Sequence, residues 1–186
     1  MRKLLPALLA ACALFPLLAG GEASAQSATG CPAVGQCTSS LYIVSQSTPT
    51  ISTSAYTSGY VLGGIQPFRT GAWGFITNAE VTFNSGSFSG SVNLLLFSAS
   101  PTGGGTTDHA ALALTSTDTA KLIGVLALNN CTTLNSGTIV QCQATQATPQ
   151  AFALPAGNTI YAVAQVVGTP TFAGTTDATF TLSGVQ

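Results

Sequence analysis

Short apolar segments separated by turn-forming residues make up most of this chain. In residues 178–182, apolar side chains alternate with Thr179 and Thr181, which predicts a strand with one buried and one wet face. The run Thr159–Val167 is mostly apolar on both faces, as is typical of a central strand or one covered on both sides. The predicted strands are Leu41–Val44, Tyr60–Leu62, Phe75–Phe83, Val92–Phe97, Leu122–Leu128, Thr159–Val167 and Ala178–Leu182.

Turn signals are dense between these segments. They occur at Asn84-Ser85-Gly86, at Pro101 with Gly103-Gly104-Gly105, at Pro155-Ala156-Gly157-Asn158 and at Gly174. One stretch, Thr117–Lys121, has the composition of a helical turn, with Thr117 or Asp118 as its N-cap. Short strands joined in this way predict an all-β fold: an antiparallel, jelly-roll-like β-sandwich in a single domain over residues 41–186.

The first 25 residues have the order of a secretory signal peptide. Arg2 and Lys3 precede the apolar run Leu4–Leu18, and Ala23-Ser24-Ala25 is a small-residue cleavage signature before Gln26. The apolar run is shorter than the ~20 residues that a membrane-spanning helix needs. We therefore expect a secreted, periplasmic or cell-surface protein that is not inserted in the membrane after cleavage. Residues 26–40 are expected to form an N-terminal arm.

Charge is scarce beyond the signal segment. The remaining basic residues are Arg69 and Lys121, and the acidic ones are Glu80, Asp108, Asp118 and Asp177. Two basic side chains are too few to neutralise a phosphate backbone, which excludes nucleic-acid binding. A nearly uncharged surface also offers little electrostatic repulsion between copies, so we expect self-association.

Four cysteines follow the signal segment: Cys31, Cys37, Cys131 and Cys142. An even number in an exported chain indicates two disulfides, for which three connectivities are possible. We favour the local pairs Cys31–Cys37 and Cys131–Cys142, because each brackets a turn-rich segment. A zinc site is disfavoured because the spacings fit no zinc pattern and the chain has one histidine.

The candidate catalytic residues do not form a convincing site. His109 follows Asp108, but neighbouring side chains of an extended segment point to opposite faces, and no Gly-x-Ser-x-Gly elbow accompanies them. The four carboxylates are too scattered to nominate a glycosidase pair. Asp108 and Asp118 would have to join backbone carbonyls to bind a cation, and loop capping is the favoured role for both. We predict neither an enzyme nor a bound cofactor or metal.

Trp73 is the only tryptophan of the chain, and it has two interpretations. It lies between Gly71 and Gly74, with Phe68 and Phe75 nearby, and such a ring can serve as a sugar-stacking platform. A single tryptophan with apolar neighbours is more often a core residue, so the core is the favoured prediction. An exposed ring would favour the sugar-stacking platform, and a buried ring would favour the core residue. Together with Asp108 and His109, discussed above, Trp73 is one of three candidate residues for a ligand surface.

Several sequence blocks form a recognisable series: Tyr60–Gly64, Leu94–Pro101, Thr107–Ala111, Lys121–Val125, Ala156–Tyr161 and Gly168–Phe172. Together they resemble a group of small virion-associated β-proteins of tailed bacteriophages and prophages, and the resemblance covers about residues 56–186. It implies a structural or particle-surface β-domain without catalysis. The signal peptide and the four cysteines depart from that group and point to an exported relative.

These observations lead to one functional expectation and one alternative. The expectation is an exported, non-catalytic structural or surface β-sandwich protein, which self-associates and can serve as a repeating subunit. The alternative is a carbohydrate-binding or adhesin module that uses Trp73 and nearby aromatic residues to bind a cell-surface or glycan ligand.

Overall fold

A computed structural model describes residues 42–84, 88–145 and 149–186. Its elements are β1 (Tyr42–Ser47), β2 (Val61–Arg69), β3 (Trp73–Phe83), β4 (Ser91–Phe97), α1 (Ser116–Thr119), β5 (Leu122–Leu134), a 3-10 turn (Asn135–Gly137), β6 (Ile139–Ala144), β7 (Gln150–Ala153), β8 (Thr159–Val167) and β9 (Ala178–Val185). The predicted all-β class is confirmed, and each predicted segment overlaps a strand. The short strands β6 and β7 were not predicted. The proposed signal peptide (1–25), N-terminal arm (26–40) and Leu41 lie outside the described residues.

The strands form one antiparallel sheet that nearly closes on itself. Their order is β1-β9-β3-β6-β5-β4-β8-β2, and β7 pairs with the beginning of β3. The two ends of the sheet approach each other, since the backbone N–H of Arg69 in β2 donates to Oγ of Ser45 in β1 at 3.0 Å. The single sheet therefore has a barrel-like arrangement around a common core.

Alternation along the strands fills this core. Phe180 and Leu182 of β9 point inward and are buried, whereas Thr179 and Thr181 are half-buried on the outer side. This confirms the predicted two-faced strand. An aromatic cluster joins the core to the loops, because Phe172 packs on Phe83 with ring centroids 5.3 Å apart.

A second apolar cluster lies on the outer side of β2, β4 and β8. Its buried members are Val61, Leu95, Phe97 and Val163. Leu112 and Leu114, from the connection between β4 and β5, pack against them. Strand β8 is therefore covered on both faces, as its sequence predicted. The connection covers this half of the sheet, and the outer side of the other half has no such cover among the described residues.

The N-cap of the short helix α1 lies two residues or more before the positions that its sequence suggested. Thr115 is the N-cap, and its hydroxyl accepts from the backbone N–H of Asp118, while the Asp118 side chain accepts from the backbone N–H of Thr115. The expected N-caps Thr117 and Asp118 were therefore wrong. Asp118 occupies the third helical position of a capping box, where a carboxylate can bond back to the N-cap.

One predicted disulfide is present. Cys131 and Cys142 lie directly opposite each other in β5 and β6 and are bonded. The local pairing is thus confirmed for this pair, whereas Cys31 and Cys37 lie outside the described residues. No helix in the described ranges is long and apolar enough to cross a membrane.

Candidate functional site

Asp108 and His109 lie in a turn, so the expected extended segment was wrong there. His109 has φ of 60°, and its ring packs edge-on against Tyr56, with centroids 4.9 Å apart. Asp108 Oδ1 accepts from the Tyr56 hydroxyl at 2.7 Å and from the backbone N–H of Gly63 at 2.6 Å. Both side chains therefore converge on Tyr56, and Asp108 bonds to Tyr56 and Gly63 rather than orienting the imidazole.

This arrangement is built from the loops around β2. Gly63 and Gly64 have φ of 76° and 71° and form a bulge in β2, which aims the Gly63 N–H at Asp108. Burial raises the pKa of the Tyr56 phenol above its usual range, and the hydrogen bond to Asp108 adds to this. The hydrogen bond between the neutral, buried Tyr56 phenol and the Asp108 carboxylate holds together the two loops that carry them. The partners found for the His109 ring are the backbone oxygen of Ala55 and the rings of Tyr56 and Tyr60, and none of them is a serine hydroxyl.

Asp118 has a comparable structural role in the connection between β4 and β5. Its carboxylate accepts from the backbone N–H groups of Thr102 at 2.7 Å and Gly103 at 2.9 Å, and from the Thr115 hydroxyl at 2.7 Å. These hydrogen bonds, that from Thr102 first, hold its pKa well below its usual range. Lys121 Nζ lies 3.6 Å from it. Asp108 and Asp118 thus each cap a separate loop, which is the role that their sequence context favoured over a shared cation site. Among the described residues, no three His, Cys, Asp or Glu side chains are grouped to hold a metal.

Trp73 is exposed, and its predicted place in the core was wrong. It begins β3, and 62% of its surface is accessible. Phe75 projects from the same side of the strand and is 47% exposed, whereas Ile76 points into the core. Phe68, the other aromatic residue near it in sequence, is buried and belongs to the core. The local composition was misleading because alternation places Trp73 on a side of the sheet that no other segment described here covers.

Strand pairing extends this aromatic surface across three neighbouring strands. Phe75 lies opposite Val185 of β9, and Val185 lies opposite Tyr42 of β1. Tyr42 is 58% exposed. We call Tyr42, Trp73, Phe75 and Val185 the aromatic end. Sequence analysis missed Tyr42 and Val185 because the register of the sheet brings together residues that are far apart in the chain.

Gly74, between Trp73 and Phe75, allows β3 to pack closely against β9 and against the ring of Phe152. A side chain at this position would overlap the backbone oxygen of Val185 and press on the ring of Phe152. Glycine is therefore required between Trp73 and Phe75 by the close approach of the neighbouring strand.

Beyond the aromatic end, the same side of the sheet is lined by amide and hydroxyl groups and one carboxylate. Following the register across β1, β9, β3, β6 and the last part of β5, the outward residues are Gln46, Thr181, Glu80, Gln143, Asn130, Thr179, Thr82, Gln141 and Thr132. Gln141 Nε2 donates to Glu80 Oε2 at 3.2 Å, and Gln46 Nε2 to Thr181 Oγ1 at 3.4 Å. We call this row together with the aromatic end the open face.

The open face combines aromatic rings with hydrogen-bonding groups and carries little charge. Glu80 is the one charged side chain that its described strands carry. Glycoside hydrolysis by the common mechanisms needs two carboxyl groups across the scissile bond, and one is present. Exposed rings next to amides and hydroxyls provide stacking surfaces and both hydrogen-bond donors and acceptors.

Comparisons with protein families, with curated proteins and with solved structures found no match to this chain.

Proposed function

We propose that this protein is an exported, non-catalytic surface protein that binds glycans through the open face. The observation that carries the proposal is the exposure of Trp73, at 62%, beside Phe75 on one side of β3. Exposure of this ring is what separates a sugar platform from a core residue. The carbohydrate-binding alternative therefore becomes the preferred interpretation.

A glycan matches both parts of the open face. A pyranose ring has an apolar face of C–H groups, which stacks on aromatic rings, and a rim of hydroxyls, which bond to amides, hydroxyls and carboxylates. Trp73 and Phe75 are two residues apart in a strand, hence roughly 7 Å along it. An extended oligosaccharide lying across the aromatic end would reach Asn78 and Glu80 on the same strand.

The absence of charge at the aromatic end favours a neutral sugar ligand. The described positions that surround it on β1, β7 and β9 carry no acidic or basic side chain. An anionic ligand such as a phosphate would require basic groups, and the described strands of this face carry none; Arg69 ends the neighbouring β2, beside β1. Exposed apolar patches on soluble domains commonly mark interaction sites.

The surface role itself rests on the sequence. The signal peptide supports export, and the resemblance to virion-associated β-proteins supports a structural or particle-surface domain without catalysis. A glycan-binding face is compatible with both, because a protein on a particle or cell surface meets glycans there.

Binding can be tested on the purified protein with neutral oligosaccharides displayed on an array, followed by titration of the best ligand. Trp73 is the only tryptophan in the chain, so its fluorescence reports directly on the aromatic end. We expect the emission to shift on binding and the affinity to fall about tenfold or more in Trp73→Ala and in Phe75→Ala.

Val125→Ala is the matched control. Val125 is an exposed apolar strand residue, 49% accessible, that lies in β5 outside the open face. It should bind as the wild type does. Unchanged affinity in Trp73→Ala, or binding without any change in tryptophan emission, would overturn the proposal.

A further inference from the structure

The last part of β5 has a strand partner on one side only. Pairing between β4 and β5 ends at Val92 opposite Leu128, whereas pairing between β5 and β6 continues to Leu134 opposite Ile139. All residues of Asn129–Leu134 are exposed. No other described strand pairs with this segment, and its one neighbour on that side is the carbonyl oxygen of Gly90, just before β4, which lies 3.6 Å from Cys131 Sγ among the described contacts. We call its unpaired side the free edge.

The positions that present backbone groups at the free edge follow from the disulfide. The Cα atoms of Cys131 and Cys142 are 3.9 Å apart, which is the close spacing of a non-hydrogen-bonded antiparallel pair. The N–H and C=O groups of Cys131 therefore point away from β6. Thr133, two residues on, has the same orientation, and its amide and carbonyl face the free edge.

The free edge lacks two of the usual protections against strand addition, charged side chains and proline, and a register shift between Leu128 and Asn130 marks its start. Its sequence, Asn-Asn-Cys-Thr-Thr-Leu, contains no charged residue and no proline. The disulfide holds the hairpin together, so the edge is a preformed template rather than a fraying strand. Lys121, the one lysine after the signal segment, lies just before the start of β5, at its opposite end.

We propose that the free edge pairs with the free edge of a second copy of this chain. An antiparallel strand is complementary to itself under a two-fold axis, so one segment supplies both sides of the interface. The uncharged side chains bring no like charges together in that pairing. A charged partner would find no oppositely charged side chain on this edge, whereas a second copy satisfies the amides and carbonyls of both chains.

The pairing has a structural consequence for the open face. β5 is the last strand of that face, so joining two copies there continues it from one subunit into the next. The two aromatic ends would then lie at opposite ends of a single surface, and a multivalent glycan could engage both. The pairing itself does not depend on glycan binding.

Oligomeric mass measures this directly. We expect the purified, oxidised protein to sediment as a dimer at about 100 µM and to dissociate on dilution, with a Kd in the micromolar range, since one strand pair is a small interface. Thr133→Lys places a charge at the free edge and should weaken dimerisation at least about tenfold. Thr133→Pro removes an N–H that faces the free edge rather than β6, and should have the same effect.

Thr176→Lys is the matched control, because it adds the same charge at an exposed position in the loop before β9. It should dimerise as the wild type does. Circular dichroism and the melting midpoint establish that each variant is folded, and Thr133→Lys decides the question if Thr133→Pro does not fold. A wild type that is monomeric at about 100 µM, or an undiminished Thr133→Lys dimer, would refute the pairing. Loss of glycan binding with an intact dimer would refute the proposed function alone.

Discussion

The Tyr56 hydroxyl donates to Asp108 Oδ1 at 2.7 Å and thereby joins the segment before β2 to the connection between β4 and β5. The same hydroxyl accepts from the backbone N–H of Ser52 at 2.8 Å. Tyr56 is buried, and its ring packs against Phe172 and His109. One phenol thus holds together three loops that surround β2.

Removing this hydroxyl should destabilise the protein without altering its fold. In Tyr56→Phe the ring contacts remain, but the Ser52 backbone N–H loses its acceptor and the Asp108 carboxylate loses one of its donors. We expect the free energy of unfolding to fall by about 1–3 kcal/mol in urea titrations near neutral pH. Tyr42→Phe, which removes an exposed hydroxyl from β1, is the control. Equal losses in the two variants would mean that the Asp108 bond contributes nothing.

The same residue should make stability fall in alkaline solution. Because the folded-state pKa of Tyr56 is raised above the ordinary value of about 10, the unfolded chain ionises first. The stabilisation is fully present below about pH 10 and is lost as the pH rises above it. Unfolding of the wild type at several alkaline pH values should show this decline, and Tyr56→Phe should show a weaker one. Parallel curves would contradict the assignment.

Asp118 should govern part of the acid sensitivity. Its hydrogen bonds lower its pKa in the folded state, so the folded form binds a proton less readily than the unfolded chain. The stabilisation is present above the ordinary pKa of about 4 and is lost as the pH falls from there towards the folded value. Asp118→Asn should lower the melting midpoint by several degrees at neutral pH, and the gap to the wild type should narrow in acid. A gap that stays constant with pH would argue against this role.

The disulfide between Cys131 and Cys142 should stabilise the protein measurably. It closes a loop with a sequence separation of 11, for which restriction of the unfolded chain corresponds to about 2–3 kcal/mol. The Cys131→Ser/Cys142→Ser variant should lose about that much in denaturant titrations. Intact mass should rise by about two hydrogens per disulfide on reduction, so a rise of about four would establish the second expected pair, Cys31–Cys37. Titration of free thiols in the unreduced protein would contradict that second pair.

The two faces of β9 should respond unequally to substitution. Phe180 has no exposed surface, and Phe180→Ala should cost about 3–5 kcal/mol. Thr179 lies on the outer face, and Thr179→Ala should cost under about 1 kcal/mol. Chemical denaturation of both variants measures the difference. Similar losses would mean that the inner face of β9 contributes no more than the outer one.

Strands with a strong local pattern could be recognised from the sequence, and weaker ones could not. β8 and β9 were predictable because β-branched, aromatic and alternating apolar residues mark them. β6 and β7 were missed because β6 alternates Val140 and Cys142 with glutamines, and β7 has four residues. β7 becomes a strand because β3, more than seventy residues away in the chain, offers it a partner, whereas β6 pairs both with β3 and with the neighbouring β5.

By itself, the sequence determined the all-β class and the alternation of β9, and it favoured a central or doubly covered β8 and the pairing of Cys131 with Cys142 among three possible connectivities. The alternation of β9 and the favoured disulfide depend on residues close together in the chain, where the two-residue period or a short turn decides the outcome. Only the tertiary structure decided that Trp73 is exposed, that Tyr42 and Val185 join Phe75, and that the last part of β5 has a free edge. The physical reason is that an outward side chain is buried or exposed according to what lies over it. Here, the connection between β4 and β5 passes over one half of the sheet, and no described segment covers the aromatic end on the other.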